Sequence, residues 1–129
     1  MQSQHKHIRH GMGSVRPYLY GRRDSLDLIV RAFGGEVLEN LPVGSAGFHV
    51  EARIGDSMLV LEQGETLPPG ATRASVYVYV EDVDSAFRAA LEAGATSIAE
   101  PADKPYQERG AGVRDVFGNI WWIATYTGA

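Results

Sequence analysis

His49 and Glu51 stand two residues apart in a stretch with strand-like alternation, so an extended chain puts both side chains on one face. Such a pair offers two ligands to a divalent metal, or a base with a carboxylate to orient it. The plain alternative is a polar stripe on a strand's outer face. A second group is aromatic. Tyr18 and Tyr20 flank Leu19, Tyr77 and Tyr79 flank Val78, and Trp122 belongs to the final apolar run Ile120-Trp121-Trp122-Ile123. Flat rings repeated on one face suit a planar organic ligand, with phenol hydroxyls to orient it; the alternative is rings that fill a core or an interface. His5, His7 and His10 sit in a polar stretch, residues 1–14, read as a flexible arm and not as a site. Within it Met12-Gly13-Ser14 reads as an original start or an expression scar. No Gly-x-Ser-x-Gly, P-loop or dinucleotide glycine fingerprint is present. With no cysteine, thiolate metal sites, disulfides and a cysteine nucleophile are excluded, which is compatible with a cytoplasmic protein.

The elements that must position these residues fit one domain of 129 residues with 44% hydrophobic content. No apolar run nears the roughly 20 residues of a membrane span. Residues 1–14 hold Lys6, Arg9 and no acid, which leaves 10 basic against 16 acidic residues in the remainder. That balance of −6 argues against nucleic acid and anionic membrane surfaces as partners.

Residues 15–20 read as a strand. Asp24-Ser25 reads as a helix cap, Leu26, Ile29, Val30 and Phe33 follow at helical spacing, and Gly34-Gly35 stops the helix. Strands are predicted at 36–41, ending at Pro42, then at 46–54 and 57–63. Gly55-Asp56 forms the turn between the last two and pairs Ile54 with Ser57 and Ala52 with Leu59. That register puts Phe48, Val50 and Ala52 with Leu59 and Leu61, and His49, Glu51 and Arg53 on the other face, taken as the helix or solvent side. After a Pro/Gly loop at 64–72, a strand at 75–80, a helix at 82–93 with Val83, Phe87 and Leu91 inward, and strands at 96–99, 107–114 and 119–126 follow. The second half repeats the first. Asp24-Ser25 and Gly34 stand 60 residues before Asp84-Ser85 and Gly94, and Ile54-Gly55-Asp56 corresponds to Phe117-Gly118-Asn119. The smaller apolar residues Leu19, Val76 and Val78 are placed against the helices. Tyr18, Tyr20, Ser75, Tyr77, Tyr79 and Trp122 then line a concave face, with Arg16 at its rim.

This order, with the stretches Val80-Glu81-Asp82-Val83-Asp84 and Gly112-Val113-Arg114-Asp115-Val116-Phe117-Gly118-Asn119, resembles the vicinal oxygen chelate superfamily of glyoxalases, bleomycin-resistance proteins and extradiol dioxygenases. In the second stretch Val116 stands where the family has proline. The resemblance implies an α+β fold: two βαβββ modules in tandem, 15–63 and 74–126, forming a cup-shaped, partly open mixed β-barrel with helices outside, in a single domain 15–129. It also implies pairing into a homodimer. The family's metal ligands match Arg16, Leu59 (or Val60 if the hairpin slips by one), Ser75 and Trp122 here, and none of these suits a divalent metal. A loop like 106–110 closes over the pocket in relatives, which would bring Tyr106 and Arg109 to the ligand. The expectation is a binder of a small hydrophobic or aromatic molecule with no cofactor. The alternatives are a metal-dependent lyase or dioxygenase using His49 and Glu51, and an interaction module with no ligand.

Overall fold

The computed structural model describes residues 6–44 and 47–128. Two modules follow one another. The first comprises β1 (Tyr18–Gly21), α1 (Arg23–Phe33), β2 (Glu36–Val43), β3 (Gly47–Ile54) and β4 (Ser57–Gln63). The second comprises β5 (Ser75–Tyr79), α2 (Val83–Glu92), β6 (Thr96–Lys104), β7 (Glu108–Arg114) and β8 (Ile120–Tyr126). Each builds a four-stranded mixed sheet, in the orders β1-β4-β3-β2 and β5-β8-β7-β6. The first strand of each lies parallel to the last, because the helix carries the chain back across the sheet. The fold is therefore α+β, two βαβββ modules whose sheets do not close, leaving a partly open cup.

The β3–β4 register follows the two-residue turn as the sequence predicts, with Ile54 opposite Ser57 and Ala52 opposite Leu59. Both edge strands outlast their predictions. β2 runs through Pro42, and β6 runs past Pro101 to Lys104 across two register shifts. Proline is tolerated at a sheet edge or bulge, where its missing N–H costs no ladder bond. Helix α1 starts one residue before the predicted Asp24-Ser25 cap. Arg22 is its N-cap, and Ser25 sits in the first turn, where its hydroxyl accepts the Arg22 N–H at 3.1 Å. Asp82 caps α2 by accepting the Ser85 N–H at 3.2 Å.

One core joins both modules. Leu19, Val50, Ala52, Leu59 and Leu61 meet Leu28, Ile29 and Phe33, while Val78, Ala111, Val113, Trp121 and Ile123 meet Val83, Ala86, Phe87 and Ala90. Phe33 and Trp121 bridge the two halves, with ring centroids 5.0 Å apart. Val30 and Leu91, predicted inward, are exposed. Ala86 and Ala90 take the inner stripe of α2 instead, because small side chains let a helix approach its sheet closely.

The turn between β7 and β8 ties the modules together. Asp115, 5% exposed, accepts the N–H groups of Phe117 (3.0 Å) and Asn119 (2.9 Å) on one oxygen. Its other oxygen accepts Asn119 Nδ2 (3.1 Å) and Trp121 Nε1 (3.2 Å). Asn119, fully buried, donates to the Tyr20 carbonyl at the end of β1 and accepts the Ala74 N–H at the start of β5, both at 2.8 Å. Four segments, β1, the start of β5, the turn itself and β8, thus meet at two side chains, which is why the polar pair sits in an apolar core.

Candidate functional site

The faces of the two sheets turned away from the helices carry the predicted aromatic residues, in two separate groups. On the first sheet Tyr18 pairs in register with Val60 and Tyr20 with Glu62, and the two tyrosine rings lie 5.4 Å apart. His49 and Glu51 share this face. They lie on the face opposite Val50, Ala52, Leu59 and Leu61, as the register predicts, but this corrects their assignment to the helix or solvent side: the core residues fill the helix side, and alternation sends His49 and Glu51 to the face of Tyr18 and Tyr20. Leu59 therefore points into the core, and Val60 holds the place the resemblance gave to a metal ligand.

His49 is gripped from both sides. Nδ1 donates to Glu62 at 2.5 Å and Nε2 to Glu51 at 2.8 Å, while the Tyr18 hydroxyl donates to Glu62 at 2.8 Å. With a carboxylate on each nitrogen the ring carries both protons, and its pKa lies above the ordinary value, chiefly through the bonds to Glu62 and then Glu51. Arg16 donates to Glu51 at 2.5 Å. The Glu51 pKa is lowered: bonds from His49 and Arg16 outweigh the largest contribution, burial, which pushes it up. A histidine whose pKa is raised on folding stabilises the fold below its unfolded pKa, and that contribution fades as pH climbs through the folded value. Glu51 acts oppositely, stabilising above its unfolded pKa and losing this as pH falls. Stability is therefore expected to peak between the two ordinary values, 4.5 and 6.5. Melting temperature against pH checks this: His49→Gln should flatten the fall above pH 6.5, and an unchanged alkaline limb would refute the assignment.

Arg16 is not at an open rim. It clamps the preceding segment, donating to the carbonyls of Gly13 (2.8 Å), Met12 (2.9 Å) and Arg9. Arg9 and His10 reach Glu39, whose pKa falls to about 2 mainly through the bond from Arg9. Gly13 lies against Met58: a Cβ there would stand 2.8 Å from its side chain. So part of the stretch read as a flexible arm is laid over the first sheet, which explains why Met58, Val60 and Glu51 are buried on a face without a helix. His5 lies outside the described residues.

The second sheet presents Tyr77, Tyr79 and Trp122 with no such cover. Trp122 lies opposite Gly112 and beside Tyr77 in register. Its six-membered ring fills the space a Gly112 side chain would take; a Cβ there would come within 2.5 Å of Cζ3. Its indole N–H donates to Ser75 Oγ at 3.2 Å, which brings two predicted residues together. Tyr77 and Tyr79, with ring centroids 5.5 Å apart, donate to the two oxygens of Glu108, a residue the sequence reading passed over. These bonds lower the Glu108 pKa and raise those of both phenols. Glu108 could have been found by parity, since Gly110 and Gly112 follow it at two-residue steps on the same face.

Arg109 is not brought to this face. It pairs with Asp84 of α2 through two bonds, at 3.0 and 3.1 Å, and with Asp103 of β6 at 3.2 Å. Tyr106 stays near the site, at a turn beside a hollow of about 400 Å³ bounded by Trp122, Tyr77, Lys104 and Gly110. A larger cleft, about 820 Å³, runs along the unpaired edge of β5 between the β3–β4 turn and α2, and Tyr77 borders this cleft too.

These donors do not suit a divalent metal. Arg16, Val60, Ser75 and Trp122, at the positions the resemblance gives to metal ligands, provide no coordinating set. His49, Glu51 and Glu62 bond to one another, and among the described residues no group of three or more His, Cys, Asp or Glu side chains is arranged to hold an ion.

The model of the Glyoxalase/Bleomycin resistance protein/Dioxygenase superfamily matches residues 23–123. An uncharacterised protein of Mycobacterium bovis, Mb0911c, is 31% identical over 109 residues, covering 75% of this chain and 71% of that one. Among solved structures, TioX from Micromonospora sp. ML1 is 28% identical with a TM-score of 0.66, over 91% of this chain and 98% of that one. The fosfomycin resistance protein FosX from Mesorhizobium loti shares the fold at 16% identity, with a TM-score of 0.64 and coverage of 91% and 92%.

Proposed function

Because the chain belongs to the Glyoxalase/Bleomycin resistance protein/Dioxygenase superfamily, we propose that it binds small hydrophobic or aromatic molecules without a metal, on the open aromatic faces of its sheets. The observation that carries this reading is Trp122. Its indole is fixed by Ser75 and seated in the gap at Gly112, yet 36% of the residue remains exposed beside Tyr77. A large ring held in place but left uncovered is a stacking platform. The residues at the family's metal positions support a route that needs no cation.

Two copies pair, with exposed aromatic rings of the sheets at the contact. The supporting observation is the number of large rings left half bare, Tyr18, Tyr77, Tyr79 and Tyr126 among them, on faces no helix covers. Light scattering should give twice the 14.0 kDa chain mass; a single species at the chain mass refutes pairing. The lack of cysteine is compatible with the cytoplasm, and no described helix is long and apolar enough to cross a membrane.

Fluorescence titration with 2-naphthol, phenazine and 9-aminoacridine tests the binding. At least one should quench wild type, with no change after EDTA treatment. In Trp122→Ala only the buried Trp121 remains, and the response should be flat. Loss of binding with EDTA would return the metal-dependent reading, and silence across all three probes would end the proposal.

A further inference from the structure

The hollow beside Trp122 has one charged wall. Lys104 lies over Gly110: a Cβ on that glycine would stand 3.5 Å from Lys104 Cε and 3.8 Å from Cγ. The lysine stem therefore runs along the floor and carries its ammonium to the hollow that Trp122, Tyr77 and Tyr106 wall. Among the described residues this ammonium makes no ion pair. Arg9, Arg16, Arg53 and Arg109 all have carboxylate partners. Glu108, the residue across the ladder from Lys104, accepts the phenols of Tyr77 and Tyr79, one on each oxygen, and forms no ion pair with the lysine. The Tyr106 ring is exposed at the same mouth. The hollow thus combines a fixed indole, a phenol ring and a half-buried cation with donors to spare.

We propose that this hollow selects flat aromatic carboxylates, with the ring stacked on Trp122 and the carboxylate on the Lys104 ammonium. A charge-assisted bond to a carboxylate is stronger than one between neutral groups, and the aromatic walls reduce the competition from water. This rests on the reading of the aromatic face as the binding surface, and adds to it the sign of the ligand's charge.

Three probes with one ring system and different charge separate the two claims: 2-naphthoate, 2-naphthalenemethanol and 2-naphthylmethylammonium, each titrated calorimetrically at low and moderate salt. Wild type should bind the naphthoate at least tenfold more tightly than the alcohol, with the ammonium weakest and the naphthoate advantage shrinking in salt. In Lys104→Gln the naphthoate should fall to the level of the alcohol, whose affinity stays within twofold. Arg53→Gln, at the Glu36 pair, should leave all three unchanged. Equal affinities in wild type, a preference for the ammonium, or a naphthoate preference that survives Lys104→Gln would each overturn the charge assignment while leaving the binding face standing. No binding of any probe would remove both.

Discussion

Asp115→Ala is expected to cost about 4 kcal/mol of stability and to lower the melting temperature by roughly 15 °C. The carboxylate accepts four hydrogen bonds, from two main-chain N–H groups, the Asn119 amide and the Trp121 indole. All four donors lie in the interior and lose their acceptor at once, and an unsatisfied buried donor costs about 1–3 kcal/mol. Water entering the vacated space recovers part of this, which keeps the total below the sum. Asp115→Asn preserves shape but places an amide against donor groups, so it should fall between wild type and the alanine variant. Asp84→Ala, which removes a partly exposed partner of Arg109, should cost no more than about 1 kcal/mol. Denaturant unfolding of the three variants measures this ranking. A loss below 1 kcal/mol in Asp115→Ala would mean that the turn does not fasten the modules.

The sequence revealed this fold where the controlling interactions are local. Gly55-Asp56 leaves two residues for the turn, and that alone fixes seven pairs from Phe48↔Gln63 to Ile54↔Ser57. Setting Leu19 and Val78 against the helices was enough to send Tyr18, Tyr20, Tyr77 and Tyr79 outward, because strand side chains alternate inside a regular ladder. The errors come from contacts that no short window encodes. His49 was assigned to the wrong side because its face depends on Tyr18 and Glu62, which reach it through the parallel β1–β4 pairing. Arg16 was placed at the rim of the cup because its partner Glu51 lies 35 residues away. Arg109 was placed at the ligand through the loop that the resemblance implies, whereas its strand parity opposes that of Glu108 and turns it toward Asp84. Lys104 lay beyond the predicted end of β6, in the part of the strand reached only through its register shifts.

Gly112→Ala should weaken binding of an aromatic probe roughly 30-fold, about 2 kcal/mol, with less than about 1 kcal/mol change in stability. The added Cβ would stand 2.5 Å from Trp122 Cζ3 and 2.7 Å from Cε3, closer than atoms can pack. The indole lies on an open face, so it can swing away at little cost to the core, but it then leaves Ser75 and the side of Tyr77. The loss combines stacking with the apolar area the ring would have covered. A red shift in Trp122 emission should accompany it as the ring enters water. Gly110→Ala is the matched control: its Cβ would sit 3.5 Å from the Ile123 carbonyl and from Lys104, an ordinary contact distance, so ring position and emission should hold. The two glycines are two residues apart on the same strand face and differ in whether Trp122 rests on them. If both alanine variants bind the probe as wild type does, Trp122 is surface decoration, and the ligand belongs in the larger cleft along β5.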